Sequence, residues 1–243
     1  MRIRKKPWSA KELAENPRIL KDPAKYREYF DNDHPIHVEI GCGKGRFITQ
    51  TAAKNPNINY IAIEREATVL AVAARLSRVV DEGDSLTGST ALTDSTALTG
   101  STSTTGRLAF MELDATELPK YFKPGEIKRL YINFCDPWHR RKKWAKRRLT
   151  HANFLEMYEA LDIPEIFFKT DNRILFEFSI NQFSERGWIM RNISLDLHKD
   201  LHEDSIKDSN KDSHKAGFDE NVMTEYEEKF SAKGPIYRLE AYR

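Results

Sequence analysis

The stretch Ile36-His-Val-Glu-Ile-Gly-Cys-Gly-Lys-Gly45 decides the fold that this chain is expected to adopt. Its first five residues are rich in β-branched side chains and predict a strand, and its three glycines let the backbone turn tightly and let a ligand approach it. A helix is predicted next at Arg46–Lys54, followed by a second strand at Tyr60–Ile63 that is closed by Glu64. This order of elements is typical of the nucleotide-binding unit of a doubly wound α/β sheet.

The acidic residues of this unit favour a cationic nucleoside cofactor over a dinucleotide. A dinucleotide site usually has the pattern G-x-G-x-x-G, with a helix N-terminus facing the pyrophosphate. Here the pattern from Gly41 through Gly43 to Gly45 is G-x-G-x-G, and Glu39 lies on the strand just before it. A carboxylate at that place would repel a pyrophosphate, but it would attract the ammonium and sulfonium groups of S-adenosylmethionine. Glu64 can accept both hydroxyls of a ribose, through bonds that contribute roughly 1.5–3 kcal/mol each.

Strands and helices continue to alternate beyond this unit. Five more strands are predicted at residues 108–113, 130–134, 165–171, 188–193 and 236–242. Such alternation predicts one doubly wound sheet, whose ligands bind at the C-terminal ends of the strands. Those ends are occupied by Gly41, Glu64, Asp114, Asp136 and Asp171. Asp114 is expected to meet an adenine amino group, with a turn cap as the alternative.

The chain is expected to hold one domain, because 243 residues are enough to bury a single full core. Residues 1–34 form a basic arm interrupted by prolines, in which Trp8 is expected to anchor the arm and stacking on RNA is the alternative. Residues 35–243 form the domain, with low-complexity insertions at about 84–106 and 203–216. The first insertion contains three copies of a hexapeptide and the second three copies of a tetrapeptide, which are too short and polar to bury a core.

A dense basic segment follows the fourth predicted strand. Asp136-Pro137 ends that strand, because proline has no N–H to donate to a sheet. Between Arg140 and Arg148, seven of nine residues are Lys or Arg, and Trp144 lies among them. A carboxylate at a strand end, followed at once by such a run, predicts contact with a nucleic acid. A solvated charged face is the alternative.

Several classes of protein are excluded by composition. Cys42 and Cys135 are the two cysteines, and there is no C-x-x-C spacing, which argues against a disulfide framework or a metal site. No apolar run is long enough to span a membrane, and the basic N-terminus lacks the apolar core of a signal peptide. We therefore expect a cytoplasmic protein without metal or membrane partners, either a monomer or a homodimer.

Six motifs together resemble one enzyme family. They are Val38–Gly45, Asn133–Trp138, Lys146–His151, Phe168–Asn172, Leu175–Ser179 and Thr224–Phe230. In these residues the chain resembles the bacterial tRNA (guanine-N7-)-methyltransferases, over nearly its whole length apart from the repeats. The resemblance implies a Rossmann-like class I methyltransferase sheet of seven strands, mostly parallel with an antiparallel C-terminal strand. It also implies methyl transfer from S-adenosylmethionine to N7 of guanine 46 in the variable loop of tRNA.

The resemblance also implies roles for individual residues. The cofactor would be bound by Glu39, Gly41, Gly43, Glu64, Asp114 and Asp136. The substrate guanosine would be bound by Arg140, Asp171, Thr224, Glu225, Tyr226 and Glu227. The RNA would be held by Lys142, Lys143, Lys146, Arg147 and Arg148. The chain departs from the family at Cys135, where proline is usual, and at Arg140, where lysine is usual, in a basic segment one residue longer. Arginine keeps the charge but is not a neutral exchange for lysine.

Asp136 is the predicted catalytic residue. N7 of guanine carries a free lone pair, so no proton has to leave before the attack on the sulfonium methyl. The enzyme mainly has to align the reacting atoms, and an ionised Asp136 would stabilise the positive charge that develops on the purine. Two other functions stay open from the sequence: an NAD-dependent dehydrogenase, and a non-catalytic RNA-binding module on a methyltransferase fold.

Overall fold

The structure is a computed structural model that describes residues 6–82, 104–207 and 221–243. Its contacts divide the chain into two compact units, Met1–Asp114 and Ala115–Arg243. The three hexapeptide copies at residues 86–103 lie outside the described residues, and so do residues 208–215 of the tetrapeptide repeat. Each unit contains strands, helices and buried apolar side chains of its own.

The first unit is built on three parallel strands in the order β3-β2-β1. They are β1 (Ile36–Ile40), β2 (Asn59–Glu64) and β3 (Leu108–Glu112). Ile61 in the middle strand is aligned with Val38 on one side and Ala109 on the other. Nearly every residue of the three strands is buried, which is expected for parallel strands with both faces covered. The predicted unit of strand, glycine loop, helix and strand is confirmed.

Among the described residues of the first unit, four α-helices accompany these strands. They are α1 (Ser9–Glu15), α2 (Tyr26–Phe30), α3 (Arg46–Lys54) and α4 (Ala67–Glu82). Helix α3 begins directly after Gly45, whose φ of +83° lies in the left-handed region. A Cβ atom at Gly45 would lie 2.7 Å from the Cβ of Ala73 in α4, so glycine is also needed for the two helices to pack closely.

The described part of the predicted arm is packed into this first unit. Ile19 forms a parallel bridge with Phe110 of β3, and the N–H of Leu20 donates to the carbonyl of Phe110 at 2.9 Å. The buried guanidinium of Arg18 donates to Ser77 Oγ at 2.9 Å and forms an ion pair with Asp81. Trp8 is half-buried, with the guanidinium of Arg75 4.8 Å from its ring centroid, which agrees with the anchoring role expected for it.

The second unit contains four strands in the order β4-β5-β7-β6. They are β4 (Ile127–Asn133), β5 (Glu165–Thr170), β6 (Ile189–Ser194) and β7 (Tyr237–Tyr242). Strands β4 and β5 are parallel, whereas β7 is antiparallel to both β5 and β6. The described residues therefore contain the seven strands expected, with the antiparallel C-terminal strand inserted between β5 and β6.

The described part of the second unit contains five α-helices, and one of them corrects a sequence prediction. They are α5 (Leu118–Tyr121), α6 (Ala152–Ala160), α7 (Arg173–Glu185), α8 (Leu197–Lys207) and α9 (Glu225–Phe230). Residues 203–207, which were assigned to the second insertion, are the last turn of α8. The polar sequence of this helix gives little indication of it, although its first residue, Leu197, is buried. Similarly, residues 104–106 of the first insertion form the turn before β3, where Thr104 is buried.

Candidate active site

The glycine loop of the first unit leaves open space beside its backbone. Gly41 and Gly43 have φ angles of +74° and +57°, and a Cβ atom added to either would meet nothing within 4 Å. The loop is held against the end of β2, because the N–H groups of Gly41 and Cys42 both donate to the carbonyl of Ile63, at 2.8 and 3.0 Å. A ligand can therefore approach this backbone closely.

Glu64, at the end of β2, is fixed by backbone donors. Its Oε2 accepts the N–H of Gly43 at 3.2 Å, and its Oε1 accepts the N–H of Glu66 at 3.1 Å. Burial raises the pKa of the Glu64 carboxyl, and the hydrogen bonds from Glu66 and Gly43 oppose this rise. These bonds couple the position of the acidic side chain to the conformation of the glycine loop.

Two more predicted cofactor residues lie on the neighbouring strands. Glu39 is inside β1 and only 2% exposed, and the half-buried Asp114 follows β3. Because β1, β2 and β3 are adjacent and parallel, the structure groups Glu39, Glu64 and Asp114 near one edge of the same sheet. Three carboxylates beside an open glycine loop suit a ligand that carries ammonium and sulfonium groups, so the residues present fit S-adenosylmethionine.

In the second unit, Asp136 lies on a turn with an unusual backbone. The turn runs from Phe134 to Trp138, directly after β4, and both of these bulky residues have positive φ angles, +51° and +45°. Such residues rarely adopt left-handed conformations, so the surrounding structure must hold them there. The N–H of Phe134 donates to the carbonyl of Lys169 at 2.9 Å, and Arg148 Nε donates to the carbonyl of Pro137 at 2.8 Å. Asp136 itself is exposed.

Cys135, where the family usually has proline, is a neutral packing residue. Burial, and to a lesser degree the negative charge of Asp136, raises the pKa of the Cys135 thiol to about 12. The thiol is therefore protonated at neutral pH and is not a nucleophile.

The basic segment presents most of its charge to solvent. Residues 142–147 form a 3-10 helix, and the side chains of Arg140, Lys143, Lys146 and Arg147 are exposed. Two half-buried indoles support it: Trp138 packs edge-on against Trp144, with 5.9 Å between the ring centroids, and the guanidinium of Arg147 lies 4.9 Å from the Trp138 centroid. Exposed cations between aromatic rings match the predicted nucleic-acid interface.

Arg148, predicted to bind RNA, is buried and differs in this from the exposed cations before it. Only 8% of the residue is exposed, and its guanidinium lies 4.3 Å from the ring centroid of Phe178. Its Nε donates to the carbonyl of Pro137. The side chain makes its contacts inside the protein, and a run of basic residues in the sequence does not indicate this.

Thr224 and Glu227, predicted to bind guanosine, form the reciprocal hydrogen bonds that begin helix α9. The N–H of Glu227 donates to Thr224 Oγ1 at 2.9 Å, and the N–H of Thr224 donates to Glu227 Oε2 at 3.5 Å. Glu227 is fully buried and forms an ion pair with Lys169 at 2.8 Å. The spacing T-x-x-E is the sequence signal that could have predicted these two bonds.

Lys169 is a residue of this region that sequence reasoning missed. Its Nζ donates to Glu227 Oε2, to Asn221 Oδ1 at 3.1 Å and to the carbonyl of Val222 at 3.0 Å. It thereby ties the segment before α9 to the end of β5. A lysine inside a predicted strand gives no sign of such a contact.

Asp171 and Tyr226, both predicted to contact the substrate, are brought together by the structure. The hydroxyl of Tyr226 donates to Asp171 Oδ2 at 3.0 Å. The Tyr226 ring is 43% exposed and lies 5.2 Å from the ring of Phe134 and 4.3 Å from that of Phe230, between centroids. Burial, together with the hydrogen bond to Asp171, raises the pKa of Tyr226. Glu225 lies beside it, half-buried in the first turn of α9.

Two negative findings apply to the described residues only. Among residues 6–82, 104–207 and 221–243, no helix is long and apolar enough to cross a membrane. Within the same ranges, no cluster of three His, Cys, Asp or Glu side chains could hold a metal ion.

Comparison of the whole fold with solved structures gives methyltransferases. The 16S rRNA methyltransferase KamB superposes with a TM-score of 0.57 at 11% identity, covering 92% of this chain and 94% of KamB. An antibiotic-related methyltransferase superposes with a TM-score of 0.53 at 14% identity, covering 91% of this chain and 92% of the other. At such low identity these similarities show the fold alone, and they confirm the methyltransferase sheet that was predicted.

Comparison of the sequence shows the family. A family model with the description "Putative methyltransferase" matches residues 33–239. A tRNA (guanine-N(7)-)-methyltransferase of Geobacillus sp. is 42% identical over 248 residues, which cover 99% of this chain and 94% of the relative. Those of Streptococcus mutans and Bacillus subtilis are 43% and 42% identical, each over 99% of this chain and at least 98% of the relative. The chain therefore belongs to the tRNA (guanine-N7-)-methyltransferase family.

Proposed function

We propose that this protein transfers the methyl group of S-adenosylmethionine to N7 of the guanine at position 46, in the variable loop of tRNA. Family membership over nearly the whole length carries the proposal. The compartment follows from the substrate, and we propose the cytoplasm.

We assign S-adenosylmethionine to the glycine loop of the first unit. When bound, it supplies an electrophilic methyl group on a sulfonium. Glu39 would pair with the ammonium group, Glu64 would accept the ribose hydroxyls, and Asp114 would accept the adenine amino group. Gly41 and Gly43 leave the space into which such a ligand fits. The same carboxylates would repel the pyrophosphate of a dinucleotide, which argues against a dehydrogenase.

We assign the guanine to Asp171 and Tyr226 in the second unit. Guanine has N–H donors on its Watson–Crick edge, and a carboxylate is the matching acceptor. The hydrogen bond from Tyr226 occupies one oxygen of Asp171 and orients the carboxylate, which leaves the other oxygen for the base. The exposed Tyr226 ring can also contact the face of the purine. Arg140 is exposed and keeps the charge of the family lysine.

We assign catalysis to Asp136. The attacking N7 needs no general base, since its lone pair is free. Methylation makes the purine cationic, and the carboxylate of Asp136 would stabilise this charge as it develops. The turn from Phe134 to Trp138 supports the assignment, because strained backbone that is held by its surroundings is common where a side chain must be positioned for chemistry.

The basic segment would hold the tRNA backbone through Lys142, Lys143, Lys146 and Arg147. Each phosphate contact makes the slope of log K against log salt concentration steeper by about 0.7 to 0.9. Binding of tRNA should therefore weaken steeply as salt increases, and replacement of a contacting residue should reduce the slope.

The test is methyl transfer from labelled S-adenosylmethionine to unmodified tRNA, followed by identification of the product nucleoside. We expect 7-methylguanosine from the wild type and none when guanine 46 is replaced by adenine. The Asp136→Asn variant should bind tRNA as the wild type does, yet lose about 100-fold or more in turnover. Wild-type turnover in Asp136→Asn would refute the role of Asp136. Binding of tRNA without any transfer by the wild type would identify a non-catalytic RNA-binding module.

A further inference from the structure

Arg148 differs from the other described cations of the basic segment in where its guanidinium lies. Arg140, Lys143, Lys146 and Arg147 are exposed, whereas Arg148 is 8% exposed. Its guanidinium carbon is 4.3 Å from the ring centroid of Phe178 in α7, and burial lowers its pKa. Its backbone is fixed as well, because its N–H donates to the carbonyl of Ala145 at 3.0 Å and its carbonyl accepts the N–H of His151 at 2.9 Å.

The acceptor of the Arg148 side chain lies next to Asp136. Arg148 Nε donates at 2.8 Å to the carbonyl of Pro137, which joins Asp136 to the left-handed Trp138. The proline ring fixes φ at Pro137 and restricts the conformation of the residue before it, which is Asp136. A bond to the Pro137 carbonyl therefore fixes the orientation of the peptide that follows and limits how the turn can rotate.

The turn depends on such bonds because its own residues disfavour it. Phe134 and Trp138 are large residues with positive φ at either side of Asp136. The first is held by the backbone bond from Phe134 to Lys169 at 2.9 Å, and the second side of the turn is held by Arg148. Without the latter bond, the segment 135–138 can relax toward ordinary backbone angles and move the carboxylate.

We propose that Arg148 is a positioning residue that holds the Asp136 turn in its reactive geometry, and that it does not bind a tRNA phosphate. This inference rests on the proposed function, since it takes Asp136 as the catalytic group. Under this proposal Arg148, the last arginine of the basic segment, has a different role from its neighbour Arg147.

The experiment compares Arg148→Gln with Arg147→Gln, its exposed neighbour, in tRNA methylation at several salt concentrations. For Arg148→Gln we expect kcat to fall about 10- to 100-fold, as small misplacements of a catalytic group do, with the KM for tRNA and the salt slope of binding unchanged. For Arg147→Gln we expect a higher KM for tRNA and a salt slope of binding reduced by about one. A reduced salt slope with normal kcat in Arg148→Gln would overturn the proposal.

The decisive measurement is whether the effect of Arg148→Gln on the single-turnover rate depends on Asp136. If Arg148 acts through Asp136, Arg148→Gln should lower the single-turnover rate in the wild-type background but change it less than twofold in an Asp136→Asn background. Equal losses in both backgrounds would contradict the proposal. Arg148→Lys keeps a hydrogen-bond donor and a positive charge, so its kcat should lie between those of Arg148→Gln and the wild type. If Arg148→Gln unfolds, Arg148→Lys takes its place in the comparison. An inactive wild type would refute the proposed function and is therefore distinct from either result.

Discussion

The glycine loop of the first unit and the Asp136 turn of the second both contain left-handed backbone, but they use different residues for it. Each follows a parallel strand, and each requires left-handed backbone. The loop uses glycine at its three positive-φ positions, Gly41, Gly43 and Gly45, whereas the turn places Phe134 and Trp138 in that region. Glycine adopts the conformation at little cost, while a bulky residue needs tertiary bonds to keep it there. The first region is therefore determined locally and the second by its neighbours.

The largest effect is expected from breaking a buried ion pair in the second unit. Lys169→Met removes the lysine that pairs with the fully buried Glu227, whose Oε1 keeps Asn221 at 2.7 Å and His198 at 3.2 Å, so we expect the free energy of unfolding to fall by about 3–5 kcal/mol in urea denaturation. The paired variant Lys169→Met/Glu227→Leu should recover much of the loss, because apolar residues of similar volume often replace a buried ion pair well. A stable single variant would show that the segment before α9 does not depend on this pair.

The next effect concerns the glycine loop. In Gly45→Ala the new Cβ would lie 2.7 Å from that of Ala73 and the residue would keep a positive φ, so overpacking and strain should cost about 2–4 kcal/mol. Adding Ala73→Gly removes the shortest contact, although the Cα of residue 73 stays 3.0 Å from the new Cβ, and should restore part of the stability, less about 1 kcal/mol for a glycine in a helix. Thermal unfolding of the three variants measures this. No recovery in the double variant would mean that backbone strain alone explains the loss.

A smaller effect on the free energy of unfolding is expected from substitutions at the left-handed positions of both regions. Trp138→Gly and Trp138→Ala remove the same ring, but alanine keeps a Cβ at φ +45°, so we expect the glycine variant to be the more stable by about 1 kcal/mol. Gly41→Ala, in open space at φ +74°, should lose a similar amount. Chemical denaturation of the three proteins provides the values. An alanine variant at Trp138 more stable than the glycine variant would contradict the strain argued for this turn.

The smallest effect is a pH dependence at Glu64. Burial raises the pKa of its carboxyl in the folded protein above the unfolded value. The free energy of unfolding should therefore increase as pH falls through the folded pKa and stop changing below the unfolded one. The slope is bounded by one proton, about 1.4 kcal/mol per pH unit. The measurement is the difference between wild type and Glu64→Gln across this range, in the absence of cofactor. A difference that does not vary with pH would show that Glu64 is not perturbed.

The sequence predicted those features that depend on local residue types. The glycine loop, the strands around it, Glu64 at the end of β2 and the strand-end Asp136 were all placed correctly along the chain. Their signals are β-branched runs, glycine spacing and proline, which act over a few residues. The family motifs in the sequence also predicted the class of enzyme, a methyltransferase.

Burial and long-range contacts could not be predicted from the sequence. Arg148 and Glu227, expected to contact RNA and guanosine, are both buried and form bonds with residues 11 and 58 positions away. Helix α8 was hidden because few of its residues are apolar. No local pattern distinguishes a buried arginine from an exposed one in a run of basic residues.

By itself, the sequence determined the strand and helix alternation, the glycine loop with its acidic partner, and the presence of a cationic segment after Asp136. These depend on backbone preferences and side-chain chemistry that each residue carries with it. The tertiary structure alone decided which cations face solvent, which carboxylates are occupied by internal partners, and how the Phe134–Trp138 turn keeps a conformation that its own residues disfavour. The physical reason is that desolvation and hydrogen bonding at these side chains depend on neighbours that only folding brings together.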